Sequence, residues 1–410
     1  MLFTLHKSIL LETLPKIVIT GSKSESNRLL LLQALYPELN IANVSNSDDS
    51  EVMQKALAST SNHIDVSHAG TAMRFLTAFF ATQEGRELVI TGSARMKERP
   101  IQVLVEALNA LGADISYLEN EGCPPLQIKG KSMSKDKVTL KANISSQYIS
   151  ALLLIAPKLK NGLELTLEGK ITSVPYINMT LDLLKQIGVD TSFENNSIKV
   201  RPLEQLRSQQ QTLTVESDWS SVSYFYSIVA LSPVGTKINL SYYKKDSLQG
   251  DSVLAAIYTD FGVVTTFNDN SITLLKQTES QVETIDCQLQ NAPDIAQTIA
   301  VTCFGLGMSC HLTGLHTLKI KETDRLVALK TELEKLGASV DITNDALKLH
   351  AATQINDRVN IATYHDHRMA MAFAPLALKT NLHIEDAMVV SKSYPTFWED
   401  LKCIGFKISK

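Results

Sequence analysis

The sequence predicts an α/β protein built by repetition of a strand–helix–strand–helix unit. Three observations carry this. Five segments share one device, an apolar-periodic helix followed by Gly and then a β-like run: EALNALGADISY, LDLLKQIGVDTSF, AAIYTDFGVVTTF, ELEKLGASVDI and EDLKCIGFKIS. Their glycines, Gly112, Gly188, Gly262, Gly337 and Gly405, are separated by 76, 74, 75 and 68 residues. Between the helical stretches lie runs with strand composition, among them KIVIT, ELVITG, LELTLEG and KINLSYY.

Each element has its own local signal. The residue after a helix often turns left-handed, which only Gly does without strain, so Gly at that position is a helix stop. Near-constant spacing of such stops indicates an internal repeat. A weaker sixth copy, EVMQKALASTSNHIDV, covers residues 51–66. Pro100, Pro175, Pro293 and Pro395 mark helix starts, because the missing N–H of Pro costs nothing in a first turn. After Arg99-Pro100, the residues Ile101, Leu104, Val105, Leu108 and Leu111 share one helical face. Further starts are expected near Ser26, Gly70, Ser146, Ser220, Gly250, Thr323 and Asp366. That makes about twelve helices in about six copies of the unit. On spacing alone, an ordinary α/β protein with coincidental intervals remains the alternative.

Composition narrows the class. A chain of 410 residues suits two or three domains. Hydrophobic residues at 44% and charged residues at 20% are ordinary for a globular protein. Apolar runs such as LLLLQAL and ALLLIAP fall well short of the roughly 18 residues of a membrane span. The N-terminus has no apolar h-region with a cleavage site, so secretion is not expected. Cys123, Cys287, Cys303, Cys310 and Cys403 are scattered, odd in number and form no CxxC. A disulfide framework and a structural metal are therefore disfavoured, and the cytoplasm is the expected compartment. A formal net charge of −4 offers no overall field for nucleic acid.

Functional-looking residues concentrate where helices begin: GSKSESNR at 21–28, HAGTAMR at 68–74, RMKERP at 95–100, SSQ at 145–147, KETDR at 321–325, DHR at 366–368 and SKSYP at 391–395. A helix N-terminus exposes unpaired N–H groups and the positive end of the dipole. Ser, Thr and Gly add donors and close approach, and Lys or Arg adds full charge for phosphate or carboxylate. Taken singly, a Ser or Thr before a helix is usually an N-cap, and an Arg in a first turn is usually a solvated charge. Here eight cations, Lys23, Arg28, Arg74, Arg99, Lys321, Arg325, Arg368 and Lys392, fall in or beside seven such starts. If those helices share a cavity, it holds a ligand with several negative charges. GxxxxGK[ST], GxGxxG, HExxH and GxSxG are all absent, so neither a nucleotide cofactor nor a metal is implied.

The motif series GSKSESNR, HAGTAMRF, RMKERPI, SSQYISALL, PDIAQTIA, KETDRL, DHRMAMAF and SKSYPTFWEDL resembles, in order and across essentially the whole chain, that of the 5-enolpyruvylshikimate-3-phosphate synthases. The resemblance implies the enolpyruvyl transferase fold, an inside-out α/β barrel of two similar domains, each of three βαβαββ units. It implies one domain over residues 21–215 and a discontinuous one over 1–20 and 216–410, with ligands between them. It implies phosphoenolpyruvate and shikimate 3-phosphate as substrates, no cofactor, no membrane or nucleic-acid partner, and a monomer.

Roles follow motif by motif. The resemblance implies Lys23 touching both substrates, with Ser24 and Arg28 on the shikimate hydroxyl and carboxylate. It implies Ser145, Ser146 and Ser173 on the 3-phosphate, Gln147 at the shikimate ring and also near phosphoenolpyruvate, and Tyr176 as a lesser contact. Gly70, Arg99, Arg325, Arg368 and Lys392 would surround phosphoenolpyruvate, and Lys321 would reach either substrate. The reaction removes a proton from the 5-hydroxyl and moves one onto and off C3, so it needs two separate acid–base groups. Asp294 fits the first role and Glu322 the second, with Lys23 assisting.

Alone, Asp294 could be a first-turn carboxylate and Glu322–Arg325 a surface i,i+3 pair. His367 would orient its neighbours, and Cys123 would be incidental. This chain departs from the usual family pattern at His68, Phe75, Thr317 and His365. Two rivals stay open. The sister enzyme acting on UDP-N-acetylglucosamine typically carries GAKNA and a Cys-bearing loop, where this chain has GSKSESNR and TGSARMKERP. A non-catalytic anion-binding homologue would be expected to lose Lys23, Asp294, Glu322 or Lys392, and all four are present.

Overall fold

The structure, a computed structural model, describes residues 1–141, 145–169, 171, 174–206 and 211–410. It divides into two compact units, Met1–Gly21 with Glu216–Lys410, and Ser22–Val215. Among the described residues there are twelve α-helices.

One sheet plan recurs. In the Ser22–Val215 unit, strands His63–Asp65, Glu87–Thr91, Asp114–Tyr117 and Leu126–Lys129 lie in the spatial order first, second, fourth, third. The first two are parallel and the rest antiparallel. Helices Gly70–Ala81 and Gln102–Leu111 make the connections. This is a βαβαββ unit. Strands Lys137–Lys141, Leu163–Glu168, Thr191–Glu194 and Ser197–Val200 repeat it. In the other unit, Thr284–Gln288, Ser309–Thr313, Val340–Ile342 and Leu347–Leu349 repeat it again.

Two further copies are closed by distant pieces of chain. Val359–Ile361, Leu382–Ile384 and Lys407–Ser409 take the N-terminal strand Phe3–His6 into the fourth place. Lys237–Ser241, Val263–Asn268 and Ser271–Lys276 receive Ile17, which bridges Leu240 in parallel, at the first place. In the Ser22–Val215 unit, Asn40–Ala42 pairs in parallel with Thr212–Thr214. The plan therefore survives with two pieces borrowed from the N-terminal stretch of the sequence.

Local chemistry explains most boundaries. Gly112, Gly188, Gly262, Gly337 and Gly405 all have positive φ, from 76° to 115°, the left-handed stop that the spacing predicts. The sixth copy has no glycine: its helix Asp48–Ala58 ends at Ser59 in extended conformation.

Four expectations shift, one being the helix start near Ser26, which moves back to Lys23 behind the Ser22 cap. KIVIT forms no strand beyond the single Ile17 bridge. After Ile17 its backbone turns to other partners: the Ser217 hydroxyl donates to Ile19 O and the Asp218 N–H to Thr20 O. The helix expected from Gly250 shortens to a 3₁₀ turn, Gly250–Val253, and one α turn, Leu254–Ile257, closed by the Thr259 hydroxyl on Ala256 O. The start expected at Thr323 moves to Arg325, because the Asp324 carboxylate accepts from Leu326 N and Val327 N and so acts as the cap.

Several helices of the two units are buried on nearly all sides. Trp219–Leu231 buries every residue, and Ser146–Ile155 buries all but Gln147. Gly70–Ala81 packs on Ser146–Ile155, which packs on Val174–Gln186. Burying one Leu or Ile contributes about 1.5–3 kcal/mol, so Leu152→Ala in this layer should cost about 2–5 kcal/mol. Their apolar flanks hold these helices rigidly, which fixes the groups at their N-termini. Among the described residues, no helix is long and apolar enough to cross a membrane.

Candidate active site

Each unit gathers its own set of the candidate residues. In Ser22–Val215, three helix starts meet around Lys23. Helix Lys23–Leu35 is capped by Ser22, and Lys23 Nζ lies 3.4 Å from Asp49 Oδ2, in the first turn of helix Asp48–Ala58. His68 Nε2 lies 3.9 Å from the other Asp49 oxygen. Asp49 has no place in the sequence reading. Its only local signal, Ser47 followed by acidic residues, marks any helix start.

Arg28 is almost wholly buried. It donates to Thr180 Oγ1 at 2.8 Å, Ser24 O at 2.7 Å, Ser150 Oγ at 2.9 Å and Tyr176 O at 3.4 Å. Its guanidinium also lies over the rings of Phe75 and Tyr176. Burial pulls its pKa down to about 10, partly opposed by Tyr176 and Glu25, so it stays cationic at neutral pH. Arg28, Ser24 and Tyr176 are thus brought together. Gln147 reaches Thr71 Oγ1 at 3.2 Å, and Ser145 caps the helix that begins at Ser146. Ser173 lies outside the described residues.

Gly70 and Arg99 also meet. Helix Gly70–Ala81 has no side-chain cap, and a Cβ on Gly70 would stand 2.6 Å from Arg99 Nη1. The absence of a side chain is what lets the guanidinium lie against this helix start. Arg74 is bound internally, much as Arg28 is. It is buried, donates to Gly70 O at 3.0 Å and Pro100 O at 3.1 Å, and lies over the Tyr148 ring. It braces the RMKERP segment against the helix.

In the discontinuous unit the charges form one lattice. Asp294 is the middle residue of the turn Pro293–Ile295 that leads into helix Ala296–Leu306. Its Oδ1 lies 2.8 Å from Arg325 Nη1 and 3.4 Å from Lys321 Nζ, and its Oδ2 lies 3.1 Å from Arg368 Nη2. Arg325 also donates to Glu322 Oε2 at 2.7 Å and to Asp366 Oδ2 at 2.6 Å. Asp366 in turn caps helix His367–Phe373 by accepting from Arg368 N. Lys392 Nζ donates to His365 O at 2.9 Å.

Burial alone would keep Asp294 protonated, but Arg368, Lys321 and Arg325 outweigh it and hold the carboxyl well below its ordinary range. Burial likewise opposes the charge on Arg325, and Asp366, Glu322 and Asp294 reverse that. Asp251, in the turn Gly250–Val253, is pushed up to about 7 by burial and then by the Asp294 charge, with Arg368 opposing. The sequence reading missed it, because a lone Asp in GDSV has no signal before the fold brings Asp294 near.

The set Asp294, Lys321, Glu322, Arg325 and Arg368 can hold anionic oxygens and move protons at one place. Lys392 joins Arg368 through the short segment 365–368, by way of His365 O.

A family model described as EPSP synthase (3-phosphoshikimate 1-carboxyvinyltransferase) matches residues 54–401. A 3-phosphoshikimate 1-carboxyvinyltransferase of Bacteroides fragilis is 47% identical over 399 residues, covering 96% of this chain and 95% of that protein. One from Histophilus somni is 35% identical over 426 residues, covering 96% of each. Among solved structures, an EPSP synthase from Acinetobacter baumannii aligns over all of both chains with a TM-score of 0.83 at 20% identity. The enolpyruvyl transferase NikO from Streptomyces tendae aligns over all of this chain and 98% of its own, with a TM-score of 0.74 at 13% identity. These structural likenesses show the enolpyruvyl transferase fold, and the family model with the curated relatives goes further: the chain belongs to the EPSP synthase (3-phosphoshikimate 1-carboxyvinyltransferase) family.

Proposed function

We propose that this chain transfers the enolpyruvyl group of phosphoenolpyruvate to the 5-hydroxyl of shikimate 3-phosphate, by addition and elimination, releasing phosphate. The observation that carries the residue assignment is the Asp294 carboxylate, ionised and shared by Arg325, Lys321 and Arg368.

In this reading an anionic ligand competes with Asp294 for Lys321, Arg325 and Arg368. A phosphate or carboxylate bound beside Asp294 shares the three cations where they stand. Their hold on Asp294 weakens, and the carboxylate becomes a better base for the 5-hydroxyl. Glu322, tied to Arg325 at 2.7 Å, serves as the acid that protonates C3 and the base that later removes a proton. Arg325, Arg368, Lys392 and Arg99 neutralise phosphoenolpyruvate and its leaving phosphate with charges already in position. Lys23, paired with Asp49 at 3.4 Å, assists proton transfer and contacts both substrates, with Gly70 and Gln147 also at phosphoenolpyruvate. Ser24 and Arg28 receive the shikimate hydroxyl and carboxylate. Ser145, Ser146, Gln147, Ser173 and Lys321 complete that substrate's contacts. The enzyme is read as a cytoplasmic monomer of two domains, 21–215 and 1–20 with 216–410.

The test is phosphate release from phosphoenolpyruvate with shikimate 3-phosphate as acceptor, run beside UDP-N-acetylglucosamine. Release with the first acceptor alone is expected, and Asp294→Asn and Glu322→Gln should each lower kcat by about 10²–10⁴. Release with the second acceptor, or substrate binding without turnover in calorimetry, would overturn the reading. An unchanged pH–rate profile in Glu322→Gln would remove Glu322 from its role.

A further inference from the structure

Glu332 has no part in the reaction chemistry, yet it is a fully buried carboxylate with an unusual set of donors. Its two oxygens take Lys335 Nζ at 2.8 Å each. One of them also accepts from Ala362 N at 3.1 Å, and the other from the Tyr364 hydroxyl at 2.7 Å. Every donor except Lys335 comes from one short segment, 362–364. Burying a carboxylate is costly unless its acceptor sites are filled, and Glu332 is filled by the stretch just before Asp366.

That stretch is bent against its own preference. Tyr364 and His365 both have left-handed backbone, with φ of 55° and 56°, where a bulky side chain is strained and persists only if its surroundings impose it. His365 O then receives Lys392 Nζ at 2.9 Å. One residue on, Asp366 caps the helix that presents Arg368. Two candidate phosphoenolpyruvate cations are therefore aimed by a single strained turn.

Helix Arg325–Lys335 grips that turn at two points. Arg325 holds Asp366 at 2.6 Å. Glu332, seven residues later on the same helical face, holds Ala362 and Tyr364. Arg325 fixes the end of the turn next to Arg368, and Glu332 fixes the end where the chain enters it. With only the Arg325 grip, the left-handed pair could relax, and His365 O and the helix start would move with it.

We infer that Glu332 is a positioning residue for phosphoenolpyruvate: through Tyr364 and Ala362 it holds the 364–365 turn that aims Arg368 and Lys392. This rests on the reading that those two cations bind phosphoenolpyruvate.

The experiment measures KM for each substrate and kcat in Glu332→Gln, Tyr364→Phe and Arg368→Lys, with melting temperatures alongside. A Gln amide supplies one acceptor oxygen for donors that now use two, so Glu332→Gln should raise KM for phosphoenolpyruvate about tenfold or more. KM for shikimate 3-phosphate should stay within about twofold and kcat fall less than KM rises. Tyr364→Phe removes a single hydroxyl in a partly exposed ring and should fold normally; a rise of about threefold in the same KM is expected. If Arg368→Lys raises that KM and neither other variant does, the Glu332 role is overturned while the substrate reading stands. An unmoved KM in Arg368→Lys would overturn both. A Glu332→Gln enzyme that loses kcat and both KM values in proportion to melting temperature, beside an unaffected Tyr364→Phe, would show a purely structural carboxylate.

Discussion

Arg325 Nη1 lies 2.8 Å from Asp294 Oδ1, and the arginine that makes this contact is only 2% exposed. The pair is one edge of a denser arrangement, because the same guanidinium serves Asp294, Glu322 and Asp366 through three different nitrogens. A planar fork can do this and a single ammonium cannot. Asp366 has no exposed side-chain surface, so its charge is tolerable only with the guanidinium against it.

Arg325→Lys should therefore act on both stability and turnover. Removing one partner of a buried ion pair costs about 3–5 kcal/mol, and Lys would recover part of that with one carboxylate. The melting temperature should drop by several degrees. The value of kcat/KM for phosphoenolpyruvate should fall about 10²-fold or more, since geometry at Asp294 and Glu322 is lost together. Differential scanning calorimetry and phosphate-release kinetics on one preparation check this. A variant with native melting temperature and native kcat/KM would show that the three-carboxylate junction is dispensable.

Gly70→Ala separates stability from substrate affinity. The new methyl would stand 2.6 Å from Arg99 Nη1 and 3.1 Å from Arg99 Cζ. What it meets is the flexible end of a side chain, and Gly70 is the first residue of its helix with no positive φ to lose. Folding should tolerate the change within about 1 kcal/mol. The guanidinium must shift, so KM for phosphoenolpyruvate should rise about tenfold while KM for shikimate 3-phosphate holds. Steady-state kinetics with each substrate varied in turn decide it. Equal rises in both constants would mean that Arg99 is not the group displaced.

What the sequence could announce was local. The left-handed stops at Gly112, Gly188, Gly262, Gly337 and Gly405 are legible because one backbone angle demands one residue type. The cations at helix starts are legible because Ser, Gly and Arg cluster in a few positions. Asp49, Asp251 and Glu332 were silent. Each is an ordinary carboxylate until the fold supplies Lys23, Asp294 or Tyr364 from a remote stretch of chain. Arg74 shows the converse. The motif groups it with the candidate cations at helix starts, while its donors go to Gly70 O and Pro100 O. Strand KIVIT failed for a related reason: its composition is right, but only Ile17 finds a sheet partner, and the backbone after it bonds Ser217 and Asp218. Composition specifies the tendency to extend and says nothing about which neighbour is there.

The pH dependence of stability tests Asp251. Burial, and after it the Asp294 and Asp218 charges, push its carboxyl up to about 7, against Arg368 and Lys321. An unfolded Asp titrates near 3.9. Between about pH 4 and 7 the folded protein thus holds a proton that the unfolded chain has released, so stability falls as pH rises through this window. The contribution is fully present below about pH 4 and gone above about 7. Asp294 has the opposite sign: its depressed carboxyl stabilises above about pH 4 and loses that only as pH falls further. The two therefore separate by window. Asp251→Asn removes the first contribution and leaves the second. Its melting temperature, relative to the unaltered protein, should gain between pH 5 and 8 and keep the same acid limb. The measurement is a series of thermal melts of both proteins at constant ionic strength. Parallel curves from pH 5 to 8 would mean that Asp251 is ionised throughout, and that Arg368 and Lys321 prevail over burial there.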